Sequence, residues 1–160
     1  MLELITALAI VAILVALAAP SYRDFTSNNQ VTAVNNDLIA ALNLARSEAT
    51  RRGTPVTICA SRDAAACADA TAWGQGWIVF ENAGAAGVIA SANDVVQKWS
   101  QATGNIKLTT TSDYVQYQPT GTVTAAAAID VSSLTCHGSR LRHIQVSAGG
   151  MISTQLQTCP

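Results

Sequence analysis

Charged side chains are scarce in this chain of 160 residues. Only 12% are Asp, Glu, Lys or Arg, about half the share usual for a soluble domain. Aromatics are scarcer, at 5%, and there are two histidines. Neither sign of charge predominates: nine Lys+Arg stand against ten Asp+Glu, for a formal net charge of −1. A generally basic nucleic-acid binder is thereby excluded. The sequence also lacks a G-x-S-x-G elbow, a Walker loop, an HExxH pair, a dinucleotide fingerprint and any Cys-x-x-Cys, so no catalytic residue, metal ligand set or cofactor is expected. Asp63 and Asp69 share one loop, where paired carboxylates are ordinarily solvated.

What the chain has is apolar residues, 49% of the total, and 29 of the 160 residues are alanine. The apolar share therefore overstates the bulk available for a core. This hydrophobicity with near-zero net charge excludes disorder, and the length suits one domain of ordinary size with an appendage. Charge is unevenly placed: residues 131–160 hold Arg140 and Arg142 with no acid, beside His137 and His143.

From Leu4 to Pro20 the chain reads LITALAIVAILVALAAP, with Thr6 its only polar residue. As a helix it spans roughly 26 Å, slightly short of the ~30 Å hydrocarbon core of a bilayer. Three readings compete. Ala16-Leu17-Ala18 resembles a signal-peptidase site, but a secretory signal needs a basic start and the first basic residue is Arg23. A buried core helix would need packing partners on every side. A retained membrane helix would begin at Glu3. A carboxylate beside a membrane-spanning run is costly unless neutralised, which makes Glu3 a functional candidate; in the headgroup zone it would cost little.

After Pro20, apolar residues recur at Phe25, Val31, Val34, Leu38, Leu42, Ala45 and Ala49, the period of an amphipathic helix. Gly53 and Pro55 end it, with Arg51 and Arg52 well placed at its C-terminus. One helix is thus expected to about residue 52, kinked or loosened at Pro20. Beyond it the period shortens to that of strands. They are expected at 55–60, 76–81, 94–99, 106–110, 114–118, 122–124, 129–132, 143–147 and 151–156, with Gly149-Gly150 as a hairpin turn. The alanine-rich segments 64–72, 83–92 and 125–128 read as loops, and Trp73, Trp77 and Trp99 as core. The fold class is α+β: a long N-terminal helix packed against a C-terminal antiparallel β-sheet head. Residues 1–22 form the membrane or filament-core half of the helix, 23–53 its amphipathic half and 54–160 the globular head.

The order of Glu3, the apolar run and Pro20 resembles the N-terminus of type IV pilins and type II secretion pseudopilins. Arg46-Ser47-Glu48-Ala49 followed by Gly76-Trp77-Ile78-Val79-Phe80 resembles the GspH/FimT branch of minor pilins. The resemblance implies a single-pass subunit of the inner membrane with its head in the periplasm, later packed with major and minor pilins in a filament. In that family the glutamate, here Glu3, offsets the often methylated N-terminal amine of a neighbour. Prepilin peptidase processes the precursor at a Gly-Phe-Thr-like junction behind a basic leader. Here Met1-Leu2 stand directly before Glu3, so a start placed too far downstream and a trimmed chain are both open readings.

Cys59, Cys67, Cys136 and Cys159 allow three pairings. We expect sequence neighbours to join, Cys59–Cys67 and Cys136–Cys159, which requires an oxidising compartment. FimT-like minor pilins of transformable bacteria are associated with DNA binding through a C-terminal G-R-x-R motif. Arg140-Leu141-Arg142 supplies the R-x-R, with Gly138 displaced by Ser139. The resemblance thus makes Arg140, Arg142 and His143 candidates for sequence-independent phosphate contacts. Ile144 and Val146 share the parity of these arginines and look core-facing, which places both arginines in the loop before the strand. The competing reading is a purely structural subunit whose arginines pair with acids elsewhere, in a pilus or a type II secretion pseudopilus.

Overall fold

The computed structural model describes residues 2–159 apart from 64, 83–86, 103 and 139, and describes no side chain at 2, 15–21, 23 or 92. Helix α1, Leu2–Arg52, has 51 residues and is about 76 Å long at the usual rise per residue. A proline removes one backbone donor and crowds the preceding turn, yet the helix runs through Pro20 without interruption; the Pro20 side chain lies outside the described residues. The stripe Val31, Val34, Leu38, Ala41, Leu42, Ala45 and Ala49 is buried, as its period requires. Phe25, expected to continue that stripe, is 64% exposed because the buried part of the stripe begins only at Val31.

The helix stops where its capping chemistry dictates. Gly53 takes φ +70°, and its N–H donates to Ala49 O at 3.0 Å, the left-handed cap that glycine adopts without strain. Arg51 and Arg52 both bond Glu48, at 2.5 and 2.6 Å. Arg52 also reaches Glu81 at 2.8 Å, and the Thr54 hydroxyl donates to Glu81 at 2.8 Å. These bonds tie the helix end to the head and hold both carboxyls below the usual carboxylate range, Glu48 through Arg51 and Arg52, Glu81 through Thr54 and Arg52.

The head contains β1 (Val56–Ala60), β2 (Gly76–Glu81), β3 (Val95–Ser100), β4 (Ile106–Thr110), β5 (Tyr114–Tyr117), β6 (Ala127–Ser133), β7 (Leu141–Val146) and β8 (Ile152–Gln157). They form two four-stranded sheets, in the orders β3-β2-β1-β5 and β4-β6-β7-β8, and every described pairing is antiparallel. Both sheets pack on α1. The alanines of the stripe let strands come close to the helix, while Trp73, Trp77, Tyr117 and Phe80 supply the bulk that alanine does not. Trp73 satisfies its indole N–H on Ser112 O at 3.1 Å, and Trp99 stacks on Trp77 with centroids 6.3 Å apart.

Two strand expectations change. Residues 122–124 form no strand: Val123 makes one isolated bridge to Tyr117. Ala127 and Ala128, read as loop, belong to β6 opposite Val146 and Gln145. Ala127 is buried, a position where a small side chain fits under the helix and low bulk does not signal a loop. Part of the alanine-rich segment at 64–72 is also ordered. Asp69 caps a short 3₁₀ turn, Ala70–Gln75, by accepting from Thr71 N–H at 2.9 Å.

Candidate functional site

Strand alternation decides where the C-terminal arginines point. β7 takes in Arg142, which therefore lies in the strand and not in the loop before it. With Ile144 and Val146 it faces α1. Its Nη2 donates to the Thr32 hydroxyl at 3.3 Å, while that hydroxyl donates to Asn28 O at 2.9 Å. The Arg142 Nε is buried without a hydrogen-bond partner among the described residues. A half-buried guanidinium is tolerated here because its aliphatic stem packs while one end finds an acceptor.

Arg140 lies just before β7 and pairs with Asp24 at 3.3 Å, the two side chains being 45% and 57% exposed. The crevice between them is lined by Ser27, Asn28, Cys136 and Arg140 among others, and at about 10 Å³ holds a single water at most. His143 points to the opposite face, where its Nδ1 lies 2.6 Å from Asp130 Oδ1 on the neighbouring strand. The three residues singled out by the motif are therefore not one surface. Both arginines clamp the head to the helix between Asp24 and Thr32, and the histidine pairs across the sheet. Ser139 lies outside the described residues. The partners Asp24, Thr32 and Asp130 carried no sequence signal, since Thr32 and Arg142 are 110 positions apart.

The cysteines form Cys59–Cys67 and Cys136–Cys159, with Cα atoms 5.6 and 5.7 Å apart. The second fixes the loop that presents Arg140 and anchors the end of β8. Its geometry is reinforced by Cys159 N–H donating to Gly138 O at 2.8 Å.

At the other end of the molecule, Leu4, Ile5, Leu8, Ile10, Val11, Ile13 and Leu14 are 55–66% exposed and lie on all sides of α1. Glu3 is exposed in the first turn, where a carboxylate suits the helix dipole. Among the described residues no helix is long and apolar enough to cross a membrane, and residues 15–21 contribute no described side chain. Also among the described residues, no three of His, Cys, Asp and Glu are grouped to hold a metal.

A long helix whose second half carries two antiparallel sheets and whose first half stands free and apolar is the architecture of a pilin-like subunit. The chain belongs to the GspH family: the family model described as type II transport protein GspH matches residues 35–150. Among solved structures it is similar to the type IV minor pilin FimU of Pseudomonas aeruginosa, with TM-score 0.64 and 20% identity over 82% of this chain and 92% of that one. A second crystal form of FimU gives TM-score 0.59 at 20% identity, over 78% and 91%. The minor pseudopilin EpsH of the Vibrio cholerae type 2 secretion system gives TM-score 0.55 at 10% identity, over 79% and 97%. At these identities the structures establish a shared fold. No curated protein matches the sequence. The family and the fold make the chain a GspH/FimT-type minor pilin or pseudopilin, a subunit that assembles with other pilins in a filament.

Proposed function

We propose that this chain builds a filament without catalysing a reaction, held first in the inner membrane by the apolar half of α1, with the head in the periplasm. The observation that carries this reading is the unburied apolar surface of that half, 55–66% exposed from Leu4 to Leu14. An apolar patch of this extent needs lipid or neighbouring helices around it. Glu3 is then available to neutralise the terminal amine of an adjacent subunit, the one cation such an assembly brings to that depth. Pro20 marks the junction between the assembly half and the half carrying the head. Arg140 and Arg142 act as a clamp that sets the head on the helix.

The test is fractionation of cells producing the full chain with its assembly system. Wild type is expected in the inner membrane and in sheared filaments. Leu8→Asp is expected to leave the membrane fraction, and Glu3→Ala to stay in the membrane but fail to enter filaments. Filament entry by both variants at wild-type levels would overturn the reading.

Binding of DNA during natural transformation is a second reading, resting on the exposure of the Arg140 guanidinium beside an exposed acid. Phosphates would have to displace Asp24 from Arg140 and gain nothing from the inward-facing Arg142. Such binding would be weak and steeply salt-dependent. Salt-sensitive retention of duplex DNA that is lost in Arg140→Gln but kept in Arg142→Gln would establish it.

A further inference from the structure

The two sheets have four edges, and they are not treated alike. A free edge exposes unpaired backbone donors and acceptors and is ordinarily blunted by lysine, a bulge or covering chain. The β3 edge carries exposed Lys98 and a register shift opposite Val79/Phe80. β4 carries exposed Lys107. The outer side of β5 is covered by the segment at Thr122–Thr124, through Gln118 N–H to Thr122 O at 2.8 Å and Thr124 N–H to Gln116 O at 3.1 Å. The last edge, β8, reads Ile-Ser-Thr-Gln-Leu-Gln, with no charge, proline or described cover, and is exposed from Ser153 to Gln157. It is also held ready: a tight hairpin joins it to β7, and the Cys136–Cys159 bridge pins its far end.

The ladder fixes which groups are free. Ser147 N–H donates to Met151 O at 3.0 Å, so by antiparallel alternation Ser153, Gln155 and Gln157 bond inward to β7. The N–H and C=O groups of Ile152, Thr154 and Leu156 point outward. Their side chains share the α1-facing side of the sheet, since they lie opposite Val146, Ile144 and Arg142. Leu156 is 57% exposed there.

We propose that this edge pairs with the same edge of a second copy of the chain, β8 antiparallel to β8 about a two-fold axis at Thr154. Only outward-facing residues can form the bonded pairs. Centring them on Thr154 sets Thr154 opposite its symmetry mate and Ile152 opposite the second copy's Leu156. The two exposed leucines each gain an apolar neighbour, the threonines meet as a favourable cross-strand pair, and no charge opposes another. The strand is self-complementary in this register, which is what a two-fold interface requires. The pairing would join two four-stranded sheets into one of eight strands.

The experiment uses the full chain in excess detergent micelles, over about a hundredfold range of concentration, read by sedimentation and by amide hydrogen exchange. Wild type and Thr154→Ser are expected to dimerise as concentration rises, with exchange slowing at Ile152, Thr154 and Leu156. Thr154→Lys sets two like charges face to face and is expected to raise the dissociation constant at least ~tenfold, with an unchanged melting temperature because the position is exposed. A wild-type monomer throughout would overturn the proposal. So would a dimer unaffected by Thr154→Lys with those amides unprotected, which would place association on α1. Protection of the edge only after a different filament subunit is added would also overturn it.

Discussion

Truncating Arg142 in two ways separates its packing from its charge. Arg142 sits half-buried between β7 and α1, donates one bond of 3.3 Å to Thr32, and leaves its Nε buried without a described partner. A hydrogen bond from a charged group contributes about 1.5–3 kcal/mol, and an unmet buried donor costs about 1–3 kcal/mol. The two largely cancel. Methionine keeps the length and most of the stem's packing, so Arg142→Met is expected to change stability by no more than ~1 kcal/mol in either direction. Arg142→Ala removes the stem as well, and at ~0.8 kcal/mol per buried methylene is expected to cost about 2 kcal/mol. The assay is urea unfolding of a fragment beginning at Asp24, which keeps every buried residue of the helix stripe, with both disulfides oxidised. A loss above ~2 kcal/mol for Arg142→Met would show that the bond to Thr32 dominates. An Arg142→Ala variant as stable as wild type would show that the side chain is not packed against the helix at all.

Other expectations follow from the same geometry. Closing 23 positions of chain, Cys136–Cys159 is expected to contribute about 3 kcal/mol, and Cys59–Cys67, closing eight, somewhat less; paired serine variants measured by urea unfolding check the order. Gly76 has φ +126°, and a Cβ there would lie 2.6 Å from Trp99 O, so Gly76→Ala is expected to lose about 2 kcal/mol or more by the same assay. Glu48 and Glu81 titrate below their ordinary range, so the stability they contribute is present above the unfolded carboxylate value. It is lost as pH falls through their lower folded values. Hydrogen exchange at Arg51–Thr54 is expected to quicken in acid before the strands respond, and Glu48→Gln is expected to flatten that response. The Asp24–Arg140 pair is exposed, and a double-mutant cycle is expected to give under ~1 kcal/mol, falling with salt.

Much of the fold is readable along the chain because its period is physical. The 3–4 spacing from Val31 to Ala49 marks the face that is buried, and Gly53 marks the stop. Strands rich in β-branched residues, such as β1 and β4, lie where their composition places them. Alanine misleads, because Ala127 is small for lack of room under the helix and not for lack of order. The C-terminal arginines mislead differently. Ile144 and Val146 correctly mark the inward face of β7, but the same parity carries Arg142 inward, since a long stem and one hydroxyl acceptor make an arginine acceptable there. Which strand neighbours which, and that Asp24 and Thr32 wait on the helix for these arginines, depends on contacts across the whole chain. No local pattern encodes them.

The central claim is that the apolar half of α1 is retained and assembled. Its most direct test is mass spectrometry of sheared, purified filaments from cells producing the chain, searching for its N-terminal peptides. The account predicts the chain in the filaments with Glu3 and the apolar run present. A soluble periplasmic protein whose sequence begins after Ala18, absent from filaments, would contradict it.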